Sequence, residues 1–144
     1  MHAPRRWLAV GGVFAALTLL ATWPQVLHVG DGVRDAGDPL FNSWVLAWNA
    51  HKLSRGEIAD YFDANVFYPH RRTLAYSEHL FPQSLLAAPV IWVSGNPVLA
   101  HNVILLLSFF TSALGMFALA RRLTGATLPA VLAGGIFAFC PVHV

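Results

Sequence analysis

The stretch WLAVGGVFAALTLLATWPQVLHV, Trp7 to Val29, runs for 23 residues without an Asp, Glu, Lys or Arg. About 20 apolar residues in a helix cross the roughly 30 Å hydrocarbon core of a bilayer, so this segment is expected to span a membrane. Trp7 and Trp23 fall where the two interfaces would lie, and indoles suit both. Pro24 falls near the outer end, where a released carbonyl can reach headgroups or neighbouring helices. Arg5-Arg6 ahead of an apolar core also fits a cleaved signal peptide, but no clear small-x-small site closes the run.

The composition agrees with a lipid solvent. Hydrophobic residues make up 56% and charged residues only 11% of the chain, whereas a soluble domain carries about a quarter charged residues to coat its surface. The apolar residues are clustered into long runs. Arginine pairs flank such runs at Arg5-Arg6 and Arg121-Arg122, which reads as topology information, and no basic stripe suggests a nucleic-acid partner. The single cysteine, Cys140, has no partner for a disulfide or a Cys-based metal site and reads as a small buried hydrophobe.

From Gly30 to about Leu80 the character changes. Every acidic residue of the chain lies here: Asp31, Asp35, Asp38, Glu57, Asp60, Asp63 and Glu78. This is the expected aqueous face. Within it Asp38-Pro39 opens a helical pattern in which Leu40, Phe41, Trp44, Val45 and Trp48 share one face, with Asn42, Ser43 and Asn49 elsewhere. The pattern predicts an interfacial helix over 39–54 that lies flat on the bilayer with its tryptophans in the interface. Asp60 to Ser77 has turn formers and aromatics but no helical period, and is expected to be an ordered loop.

Phe81 to Val93 is too short to cross, below the roughly 17 residues a span needs. Pro82, Pro89 and Gly95-Asn96-Pro97 favour a short, broken interfacial helix over 81–94, with a tilted or re-entrant crossing as the alternative. Val98 to Ala120 is a clear second span, and Ser108, Thr111, Ser112, Gly115 and Ala118 give it a small-residue packing face. Positive charge marks the cytoplasmic side; placing both arginine pairs there requires an even number of crossings between them, which two spans satisfy. A third apolar run, 127–144, is still apolar at Val144 with no charge cluster after it, so the chain is expected to be a single N-terminal membrane segment of a longer protein. The expected fold class is an all-α membrane protein with spans at 7–29, 98–120 and 127–144 and a large external first loop, 30–97, carrying the interfacial helices.

Chemistry is sought in that loop. A carboxylate at Asp38 could act as a general base toward an acceptor hydroxyl, or bind a divalent cation that neutralises a leaving phosphate. The local sequence favours a plainer role: Asp before Pro and an apolar pattern is a good helix cap with proline at the first helical position. Glu78-His79 sets an acid beside an imidazole, and His70-Arg71-Arg72 offers positive charge suited to phosphate. Glu78, His79, Arg71 and Arg72 are therefore candidate substrate-binding residues, although a solvated loop surface also explains them. Asn65, Tyr68 and Tyr76 read as residues that hold the loop together.

The order of parts, together with Gly37-Asp38-Pro39-Leu40, Trp44 to Trp48, Asn65-Val66-Phe67-Tyr68-Pro69, Tyr76-Ser77-Glu78-His79, Gly95-Asn96-Pro97, Ala120-Arg121-Arg122-Leu123-Thr124-Gly125 and Phe137-Ala138-Phe139-Cys140-Pro141, resembles the N-terminal part of the GT-C membrane glycosyltransferases. That superfamily includes protein mannosyltransferases and aminoarabinose transferases, which use polyprenyl-phosphate-linked sugars. The resemblance implies a lipid-linked sugar donor, membrane lipid as partner and a bacterial inner or plasma membrane location, and the arginine pairs give the expected topology, N-terminus cytoplasmic and loop 30–97 extracytoplasmic. It implies a base or metal-linked role for Asp38, reversing the local preference for a cap, with Glu78 a weaker match. Such enzymes have many more spans, so this piece alone is expected to be inactive. The competing expectation is a non-catalytic polytopic membrane protein, a transporter or assembly subunit, with the loop as a structural cap.

Overall fold

A computed structural model describes residues 3–140. Those residues form five α-helices and no strand: α1 (Ala3–Ala21), α2 (Asp38–Arg55), α3 (Phe81–Ser94), α4 (Pro97–Thr124) and α5 (Thr127–Phe139). Two compact units result, one built from His28–Ile104 and the other from Met1–Leu27 with Leu105–Val144. Among the described residues one helix, α4 with its 28 residues, is long and apolar enough to cross a membrane by length and composition.

The expected first span differs in its outer part. The α-helix stops at Ala21 and the chain continues through a turn into a 3-10 segment, Gln25–His28. Pro24 explains the stop: its ring would collide with the carbonyl one turn back, and it disfavours helical geometry at Trp23. At 1.5 Å per residue the 19 residues of α1 reach about 28 Å, and Arg5-Arg6 occupy its first turns. The third run also forms a shorter helix than expected, 13 residues in α5, and its last residues, 141–144, lie outside the described residues.

In the unit of Met1–Leu27 with Leu105–Val144, Val10, Phe14, Ala113, Phe117, Ala130 and Ala138 make the core that joins α1, α4 and α5. Phe117 packs edge-on against both Trp7 and Phe14, with ring centroids 5.1 and 6.2 Å away, a favoured aromatic geometry. Gly134 lets these helices meet. A Cβ at that position would lie 2.6 Å from the Ala113 carbonyl oxygen and 2.7 Å from Phe14 Cζ, so only a residue without a side chain fits.

The unit His28–Ile104 is organised around α2. Phe41, Trp44 and Trp48 stack along it, 5.7 and 6.1 Å between successive rings, and Val45 joins Tyr61, Ala64 and Leu74 of the following loop in one core cluster. On another side Leu46 packs with Ala87 and Ala100, which brings in α3 and the start of α4. Ser43 and Asn49, expected away from the apolar face of α2, are themselves buried, 4% and 0% exposed. Trp48 donates its indole N–H to the Tyr61 carbonyl, so protein already engages the edge that was expected to face headgroups. Gly56, at φ 68°, closes α2 with its N–H on the helix's last carbonyls, a left-handed cap that glycine adopts at little steric cost.

α3 is continuous through Pro89, not broken as expected. Pro82 sits in the first turn, where no N–H is missed, and Pro89 is exposed, as is Leu85, whose carbonyl it releases. Trp92 then donates to the Ala50 carbonyl at 3.2 Å, tying the end of α3 to α2.

Candidate functional site

Asp38 is the first residue of α2, exposed, and its side chain makes no cap hydrogen bond. Gly37 precedes it as the cap residue, with its N–H held by the Asp35 carboxylate at 2.8 Å. The capping expected of Asp38-Pro39 is therefore not performed by Asp38. At the start of α4 the equivalent Asn96-Pro97 does cap: Asn96 Oδ1 accepts the Leu99 N–H at 3.0 Å, while its Nδ2 donates to the Gly30 carbonyl at 2.7 Å. Asn102, on the next turn of α4, donates to the carbonyls of Val29 and Gly32. These two amides hold the start of the polar loop, so that Asp38 stands at the end of an anchored segment, its carboxylate without a hydrogen-bond or ion-pair partner among the described residues.

The other predicted residues line the surface separately. Glu78, His79, Arg71 and Arg72 are all exposed, and no hydrogen bond or ion pair joins any of them to Asp38 among the described residues. His79 takes part through its main chain. Its carbonyl accepts from Asn49 Nδ2 at 2.7 Å and from the Tyr61 hydroxyl at 3.0 Å, and its Nδ1 accepts the Phe81 N–H at 3.3 Å. The ring lies edge-on to Tyr61 and Phe62. Arg72 is fixed by its backbone N–H on Asp63 Oδ1, 2.6 Å away. Tyr68 and Tyr76, expected to hold the loop together, are 90% and 86% exposed.

The residues that do hold it are Asn49, Tyr61 and Ser84. Asn49 Nδ2 also donates to Ser84 Oγ at 2.6 Å, and that hydroxyl donates to the Leu80 carbonyl. Burial pushes the Tyr61 phenol up to about 12, partly opposed by Asn49, so Tyr61 stays a neutral donor. Asn49 Oδ1 is buried without a hydrogen-bond partner. The helical spacing carried a signal for this: Asn49 follows Val45 and Leu46 by four and three positions, which puts it on their buried face.

At the far end of α2, Lys52 bonds Glu57 at 2.8 Å and lies over the Trp48 ring. The hydrogen bond from Lys52, reinforced by the charges of Lys52 and Arg55, holds the Glu57 carboxyl below its usual range. Among the described residues no three His, Cys, Asp or Glu side chains converge to hold a metal ion; Asp38 would supply a single carboxylate, and the described residues do not fit a built cation site. In the other unit a cleft of about 280 Å³ is lined by Leu105, Ser108, Phe109, Ser112, Phe137 and Ala138, and none of the predicted site residues faces it. Cys140 is half-buried and free. Compared with known protein families, with curated proteins and with solved structures, the chain finds no match in any of the three.

Proposed function

We propose that the chain is the N-terminal part of a membrane glycosyltransferase that moves a sugar from a lipid-phosphate carrier to an acceptor outside the cytoplasm, with Asp38 as the base that takes the acceptor's proton. The observation that supports this reading is the state of Asp38: exposed, at the N-terminal end of a helix, and uncommitted to a structural bond. A carboxylate that holds no structural hydrogen bond is available for chemistry. The positive end of the α2 dipole favours negative charge there, and the Asn96 and Asn102 anchors fix the segment that leads to it. Glu78 and His79 are assigned to the acceptor side more loosely, since His79 is positioned by its carbonyl.

Membrane residence belongs to the same proposal. It is supported by α4, whose most apolar window has mean hydropathy 2.3 with only 11% of its residues buried. An exposed apolar surface of that extent is costly in water. Arg121 and Arg122 in the last turns put that end on the cytoplasmic side by the positive-inside rule.

The test is Asp38→Asn in the full-length protein, in membranes from cells expressing it, assayed with a panel of radiolabelled polyprenyl-phosphate sugars. Loss of transfer on the order of a hundredfold or more, the usual contribution of a general base, with unchanged membrane insertion, is the expected result. Unchanged transfer removes Asp38 from the mechanism. The competing reading is a non-catalytic transporter or assembly subunit; the dispersal of Glu78, His79, Arg71 and Arg72 favours it, and it predicts no sugar transfer by the full-length protein from any donor despite normal membrane insertion.

A further inference from the structure

The loop after α2 is closed at its neck and bare at its tip. Three hydrogen bonds close the neck: the Arg72 N–H to Asp63 Oδ1 at 2.6 Å, Thr73 Oγ1 to the Ala64 carbonyl at 3.2 Å, and the Leu74 N–H to the Phe62 carbonyl at 3.2 Å. Thr73 and Leu74 are buried beneath it. Beyond the neck the chain turns through a His70 N–H to Phe67 carbonyl bond and leaves Phe67 72% and Tyr68 90% exposed, followed by exposed Pro69, His70, Arg71 and Arg72. Phe67 and Arg72 hold φ at 58° and 56°, a conformation uncommon for bulky side chains. The fold thus closes the base of this tip and leaves most of its aromatic surface exposed.

We propose that the tip, Phe67 to Arg72, is an anchor for the surface of an anionic bilayer, with Phe67 and Tyr68 among the headgroups and Arg71 and Arg72 on lipid phosphates. Charge complementarity selects this occupant. Neither arginine has an ion-pair partner among the described residues, and basic side chains beside exposed aromatics are the combination that anionic interfaces attract. A protein partner fits less well, because a specific interface takes about 800 Å² from each side and this tip is a narrow turn of a few residues. The assignment moves Arg71 and Arg72 from a reacting sugar phosphate to headgroups in general. It rests on the membrane residence in the proposed function, and not on sugar transfer.

The test uses the whole chain with Cys140→Ser, reconstituted in nanodiscs of phosphatidylcholine with or without phosphatidylglycerol. A spin label is placed at Asn65→Cys in the loop, at Ser54→Cys as an exposed reference, or at Leu107→Cys on α4, and its accessibility to oxygen is compared with that to a water-soluble nickel chelate. The expected result is an oxygen preference at position 65 in discs containing phosphatidylglycerol, lost to the level of position 54 in Phe67→Ser/Tyr68→Ser and in Arg71→Gln/Arg72→Gln, and weakened in discs of phosphatidylcholine alone. Position 65 matching position 54 while position 107 prefers oxygen overturns the anchor and leaves membrane residence standing. If position 107 also matches the aqueous reference, both fall. An oxygen preference at position 65 that survives both double substitutions overturns the anchor as well, because these side chains then do not hold the loop.

Discussion

The side-chain amide of Asn49, completely buried in the middle of α2, donates to the backbone carbonyl of His79 at 2.7 Å across 30 positions of sequence. The same carbonyl takes the Tyr61 hydroxyl. Helix, aromatic loop and the approach to α3 therefore converge on one main-chain oxygen, and the orientation of the Glu78-His79 segment is set there.

Replacing Asn49 separates the roles of shape and charge. Asn49→Asp sets a carboxylate against the His79 carbonyl, where the amide had donated, and an uncompensated buried charge costs about 3–5 kcal/mol. Asn49→Leu keeps the branched heavy-atom shape and removes the orphaned Oδ1, so its expected cost is smaller, about 1–2 kcal/mol for the bonds lost. Thermal unfolding in detergent checks the order; equal midpoints for the two variants would show that the amide does not donate as described.

Tyr61 predicts an alkaline limit. An unfolded tyrosine ionises near 10, and in the fold burial moves the phenol up to about 12. The folded state binds the proton more tightly, so its stabilising contribution is complete below pH 10 and is lost as pH rises from 10 through 12. Tyr61→Phe is expected to lose about 1 kcal/mol at neutral pH, for the bond to His79, and to show a flatter stability profile across that alkaline window. Unfolding midpoints at pH 8, 10 and 11.5 for both proteins make the comparison.

Gly134 and Gly135 are neighbours in α5 with opposite expected responses to alanine. At 134 the new Cβ meets the Ala113 carbonyl and Phe14 within 2.7 Å, whereas at 135 nothing lies within 4 Å. Gly134→Ala is expected to destabilise by about 1–3 kcal/mol through overpacking, and Gly135→Ala to be neutral or to stabilise by up to about 1 kcal/mol through helix propensity. Melting temperatures of the two single variants decide it, and a tolerated Gly134→Ala would mean that the helices do not approach this closely.

Asp38 and Asn96 each precede a proline at a helix start, yet their substitutions are expected to differ. Asp38→Asn removes only a favourable interaction with the helix dipole, about 0.3–1 kcal/mol, so a large activity loss with near-normal melting would be chemical in origin. Asn96→Ala removes a cap, at about 1 kcal/mol, and also frees the Gly30 carbonyl. A larger fall in melting temperature for Asn96→Ala than for Asp38→Asn is the measurable outcome.

Much of the element pattern was legible because its signals are local. Pro39 and Pro82 mark helix starts, and Gly56 and Gly95 mark ends at φ 68°, so the reading of 39–54 and 81–94 falls on α2 and α3. Pro24 was visible too, but the hydrophobic content of Trp7 to Val29 concealed that its ring ends the α-helix before the apolar run does. The site was read less completely. Asp38 was placed correctly at the start of α2, while its cap bond was assigned by analogy to a pattern that Asn96 fulfils.

The residues alone determined that the chain is helical and sharply divided between apolar runs and one acidic, aromatic segment, because propensity, proline and glycine act within a turn of where they stand. Tertiary structure decided which polar groups are working parts. Asn49 meeting His79, Asn96 meeting Gly30 and Gly134 receiving Ala113 each depend on residues far apart in sequence coming within contact distance. So does the state of Asp38: its carboxylate is uncommitted because the donors among the described residues are placed elsewhere, and that placement belongs to the packed chain.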